Sequence, residues 1–125
     1  MSSIEILNDF KRQLITFLDE LIDQFPSEGD IIVARVFLKD QIPITEVMSY
    51  FIRDILPLKE YIISKNEAFF VSNNVLFGVL DKNKVNHFKR LWKSDRLDSD
   101  DKNVIWAWFN IFVTLAERYQ RAMSS

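Results

Sequence analysis

Asp19, Glu20 and Asp23 are the carboxylates whose placement comes nearest to a reactive set, because Asp19 and Asp23 lie one helical turn apart with Glu20 adjacent. Two acids so spaced share a proton or grip a cation when a second helix supplies an ExxH pair. The chain contains no ExxH, so these residues read as a solvated acidic helix face. His87 is the single histidine and sits in "VNHFKRLW", with no serine nucleophile elbow to make a Ser-His-Asp site. It reads as a partly exposed helix residue. The run "DRLDSDDKNVIW" has the acids of a calcium loop but lacks the turn glycine and the closing glutamate. Phosphate-binding loops need glycines that let backbone amides approach the ligand, and neither GxGxxG nor GxxxxGK[ST] occurs. No metal, no cofactor and no enzymatic activity are expected.

One charge feature carries a binding hypothesis. Lys82, Lys89, Arg90 and Lys93 project together on a helical wheel, opposite Phe88 and Trp92, and Arg96 follows. Such a patch neutralises phosphates or carboxylates, which would suit a nucleic acid or an acidic protein surface. Against this, the whole chain has a net charge of -2, and a charged helix face is usually just solvated. The charge is uneven: residues 1–80 hold seven basic and twelve acidic side chains, residues 81–125 nine and six.

The elements that must position these residues are helices. Two glycines and three prolines in 125 residues are too few for the turns of a β-sandwich or barrel. From Ile4 to Phe25, Leu7, Phe10, Leu14, Phe17, Leu18, Leu21 and Phe25 recur at three and four, as an amphipathic helix requires. Pro26 and Gly29 break it, and Ser27 is a candidate cap for the next segment. "DIIVARVFLKDQ" is apolar nearly all round, so periodicity does not separate helix from strand over 31–38; the lack of a partner strand favours helix. Thr45 is a candidate cap for a stripe from Val47 to Ile63 that keeps its phase across Pro57, so one kinked helix or two nearly collinear ones are expected. "NEAFFVSNNVLFGVLD" reads as a short helix, an Asn-Asn interruption and a second apolar segment eased by Gly78. "NKVNHFKRLWKS" is a short helix with Val85, Phe88, Leu91 and Trp92 inward, and Asp98 should cap the last helix. The expectation is an all-α, single-domain bundle of about five or six helices.

That last helix, "VIWAWFNIFVTLAERY", confines Asn110, Thr114, Glu117, Arg118 and Arg121 to a narrow polar arc. Its apolar sector is about twice the ~100° stripe of a surface helix. The run from Val104 to Ala116 is too short for the ~20 residues of a membrane span. Aromatics at helical spacing usually mean core, here on two sides. The alternative assigns Trp106, Phe109 and Val113 to a protein partner, since tryptophan is enriched at binding hot spots.

The motifs "FKRQLITFLDELIDQFPSEGD", "FLKDQIPITEVMSYFI", "VNHFKRLW" and "VIWAWFNIFVTLAERY" resemble a group of small uncharacterised proteins of nucleocytoplasmic large DNA viruses infecting algae and protists. The resemblance implies a virion component or host-interaction protein and assigns no functional residue. The absence of cysteine suits a reducing compartment, and the N-terminus has no basic and apolar signal-peptide regions. A virion or host-cell interior location is expected. The resulting expectation is a non-enzymatic protein acting on a protein partner or on itself through Trp106, Phe109 and Val113. The rival is a nucleic-acid-binding accessory protein using the basic helix.

Overall fold

The computed structural model describes residues 2–72 and 82–124, and only the backbone of residues 71, 72, 82–85, 87 and 88. Helix α1 spans Ser3–Gln24, with the Ser2 hydroxyl accepting from the Glu5 amide at its start. Ile6, Phe10 and Leu14 are its buried face, and Phe25 caps the far end, its amide donating to the Leu21 carbonyl. Glu28 precedes α2, Gly29–Val36, without a side-chain cap bond, so Ser27 does not cap this helix. The ambiguous segment is therefore helix, and it ends in a wide turn at Phe37–Gln41 closed by the Ile42 amide on the Phe37 carbonyl.

Pro43 precedes α3, Ile44–Tyr50, which places Thr45 within the first turn instead of at the cap. Proline suits that position because its fixed φ leads into a helix and its missing N–H is not needed there. A wide turn at Phe51–Ile55 and a tight one at Leu56–Leu58, containing Pro57, lead directly into α4, Lys59–Ile63. The expected kink at Pro57 is thus spread over two turns of opposite winding. Lys65, at φ 54°, stops α4. The Asn66 amide donates to the Tyr61 carbonyl and the Lys65 amide to the Ile62 carbonyl, which satisfies carbonyls the helix leaves over. The Asn66 side chain then accepts from the Phe69 amide and starts α5, Glu67–Ser72.

Residues 73–81, including the second apolar segment and Gly78, lie outside the described residues. Helix α6 spans Lys82–Lys93; the side chains of Lys82, Val85, His87 and Phe88 also lie outside them. Helix α7 spans Ser99–Ser124. Asp98 caps it as expected: its carboxylate accepts from the Asp101 amide at 2.8 Å, and the Asp101 carboxylate accepts from the Asp98 amide at 3.2 Å. Among the described residues there is no strand, and the fold is an all-α bundle.

Helix α7 is the central rod. It runs antiparallel to α1, since Phe112 meets Phe10 while Trp108 meets Phe17 and Glu20. On its other side it meets the α3–α4 rod, where Lys59 pairs with Glu117, and α5, where Lys102 pairs with Glu67. Phe112 sits where Phe10, Phe17, Phe51, Trp108 and Phe109 converge, with ring centroids 5.6 to 6.4 Å apart. Most of these are the edge-on or offset arrangements that ring quadrupoles favour. The polar arc closes on itself: Asn110 donates to the Trp106 carbonyl and Thr114 to the Asn110 carbonyl.

Among the described residues the interior forms two apolar clusters. The larger joins α1, the α3–α4 rod, α5 and α7 around Phe10, Met48, Ile62 and Phe112. The smaller is built on Phe25, Ile31, Leu97 and Ile105. Phe17, Trp92 and Phe109 pack against both.

Candidate functional site

The structure buries two of the three expected partner anchors within the chain itself. Trp106 is 4% exposed and Val113 3%, and both belong to the larger cluster. Trp106 lies 5.3 Å from the Phe70 ring and 5.5 Å from that of Trp92. Phe109 is half-buried between the two clusters. The apolar sector of α7 is broad because the helix has core on both sides: α1 covers one flank and α4 and α5 the other.

The basic helix is also rearranged relative to its wheel projection. Arg96 turns back to the start of α2, pairing with Glu28 at 3.3 Å and lying 4.6 Å over the Phe25 ring. Lys89 is half-buried in the wall of a cavity. Arg90 and Lys93 remain exposed, while the Lys82 side chain lies outside the described residues. Among the described cations of this patch, Arg90 and Lys93 are the ones left exposed with no inter-helix pairing described, and salt-dependent binding grows with the number of phosphates neutralised.

Two of the three acids singled out by spacing hold helices together. Asp19 pairs with Arg35, tying α1 to α2. Glu20 accepts the Trp108 indole N–H at 2.8 Å, tying α1 to α7. Among the described residues no three histidines, cysteines or acids stand close enough to hold a metal ion, and no helix is long and apolar enough to cross a membrane. Glu67 is held below the ordinary carboxyl range chiefly by the hydrogen bond from the Lys102 ammonium, against the opposing effect of burial. The Trp92 indole N–H adds a smaller pull in the same direction, although its nitrogen falls short of a formed hydrogen bond.

Two features remain that periodicity alone did not bring out. The first is the outer face of α2 and its wide turn, where Ile32, Val33, Val36 and Phe37 are 43%, 49%, 47% and 48% exposed. They stand at i, i+1, i+4 and i+5, two adjacent rows on one side of the helix. Three of the four are β-branched, with few rotamers left to lose on docking. The signal was the all-round apolarity of "DIIVARVFLKDQ": a helix with core on one face only must present the remainder outward.

The second is a cavity of about 480 Å³ at the seam between the two clusters. Phe17 and Leu21 of α1, Ile31 and Ala34 of α2, and Trp106 and Phe109 of α7 contribute to its walls. Val33 and Phe37 both line it and stand half-exposed, so it opens beside the α2 strip. Sequence reasoning missed the cavity because it depends on how non-neighbouring helices meet.

Comparison with protein-family models, with characterised proteins and with solved structures returns no match.

Proposed function

We propose that this chain is a non-enzymatic protein that works through protein contacts, docking by the α2 strip of Ile32, Val33, Val36 and Phe37 with a second copy of itself as the partner. The observation carrying the reading is the exposure of four large apolar side chains side by side on one short helix. Solvated helices keep such residues inward or scattered, and contiguous apolar patches mark contact sites. An antiparallel pairing of two α2 helices about a two-fold axis brings identical strips together and opposes the helix dipoles. Four half-exposed side chains fall well short of the roughly 800 Å² per partner of a standard interface, so the pairing is weak and depends on concentration. The resemblance to large-DNA-virus proteins supplies the proposed setting, a small structural component of a particle, where high local concentration favours weak contacts.

Sedimentation velocity over a wide concentration range tests this. A monomer-dimer equilibrium is expected for the native chain, and a monomer at all concentrations for the double variant Ile32→Glu, Val36→Glu with unchanged helicity. A native chain that stays monomeric throughout, or a dimer that survives the double variant, would refute it.

A further inference from the structure

We infer that the cavity between α1, α2, α6 and α7 is a binding site for a neutral, hydrophobic small molecule, an activity separate from docking on the outer face of α2. The volume of about 480 Å³ lies within the range of small-ligand sites, which are concave and mostly apolar with few polar groups. Aromatic rings from three helices, Phe17, Trp92, Trp106 and Phe109, form much of the wall, and Ile31 and Leu21 supply aliphatic surface. Asp30 and Lys89 are the charged side chains among the described lining, one of each sign, and each already has an interaction of its own. A charged ligand would lose its hydration without a dedicated counter-charge, a large cost. Away from Asp30, Lys89 and the Trp92 indole N–H, the described wall offers water few of the two to four polar partners it needs. A fused-ring or alkyl molecule with at most an uncharged polar end loses nothing of this kind and gains contact with the rings.

Helix α2 distinguishes this activity from the proposed dimerisation by residue. Ile31 and Ala34 line the cavity, Ile32 and Val36 face outward and do not line it, and Val33 and Phe37 stand at the shared rim and are left unchanged in both tests. Ala34 is the small residue through which the space is most readily filled.

N-phenyl-1-naphthylamine, a neutral dye that brightens in apolar surroundings, is the probe, with energy transfer from the tryptophans as a second readout because Trp92 and Trp106 line the site. The expected result is saturable one-to-one binding and displacement by 1-decanol but not by comparable decanoate. Ala34→Phe should weaken the dye about tenfold or more, and the double variant Ile32→Glu, Val36→Glu should bind as the native chain does. If Ala34→Phe loses helicity, Ala34→Leu replaces it, with a smaller loss in the same direction. Absence of saturable binding overturns the inference, as does native affinity in folded Ala34→Phe and Ala34→Leu. Loss of dye in the outer-face variant would place it on the strip and also overturn the inference, whatever the sedimentation result. Equal displacement by decanoate would overturn the assignment to neutral ligands.

Discussion

Replacing Trp106 by alanine separates a core role from a surface role. A fully buried large aromatic truncated to alanine costs about 3 to 5 kcal/mol. Trp106 is 4% exposed and touches Phe70, Trp92 and Phe109, but one side borders the cavity, which places the expected loss at the low end, about 3 kcal/mol. With an unfolding entropy of about 2.1 cal/mol/K per residue, a chain of 125 residues has about 0.26 kcal/mol/K, so Tm should fall by about 12 °C. Urea unfolding followed by far- and near-ultraviolet circular dichroism gives the free energy, and sedimentation gives the association state. The reasoning fails if Trp106→Ala loses under about 1 kcal/mol while association collapses, for then the indole serves an interface.

Three further expectations rest on local geometry. Lys65→Gly should raise stability by about 0.5 to 1 kcal/mol in urea melts, since a lysine at φ 54° carries a strain that glycine does not; the gain is reduced by the lost Lys65–Asn103 hydrogen bond. Asp98→Ala should cost about 1 kcal/mol through loss of the cap on α7, seen as a lower urea midpoint. Glu67→Gln should cost at most about 1 kcal/mol at neutral pH, because the side chain is 45% exposed and solvent screens the pair. The folded-state pKa of Glu67 is lowered, so its contribution is present above the ordinary glutamate value and is lost as pH falls through the folded one. Native and variant melts should therefore converge in acid, and a gap that persists there would contradict the pairing.

The helices were legible where one face was apolar. The α1 stripe and the Asp98 cap follow from spacing and residue type alone. The stripe expected from Val47 to Ile63 stays inward across Pro57 as far as Ile62, while Ile63 is 56% exposed; the phase holds because the wide turn at Phe51–Ile55 unwinds the chain and the tight turn at Leu56–Leu58 overwinds it, so the two largely offset. Ser27 and Thr45 looked like caps because their hydroxyls suit the role, but a helix begins where the backbone turns, and Glu28 and Pro43 hold those places. Trp106 and Val113 lie in the core, the reading that aromatics at helical spacing favour; a wheel shows how wide an apolar sector is, not how many neighbours cover it. The α2 strip was latent in "DIIVARVFLKDQ", where the excess of apolar residues obscured the period.

The rings of Phe17, Trp92 and Phe109 belong to both halves of the interior. Neither half can loosen without baring surface that the other relies on. Denaturation should therefore be a single cooperative event, and amide hydrogens in the middle of α1 and of α7 should report one common free energy of opening, that of the whole molecule.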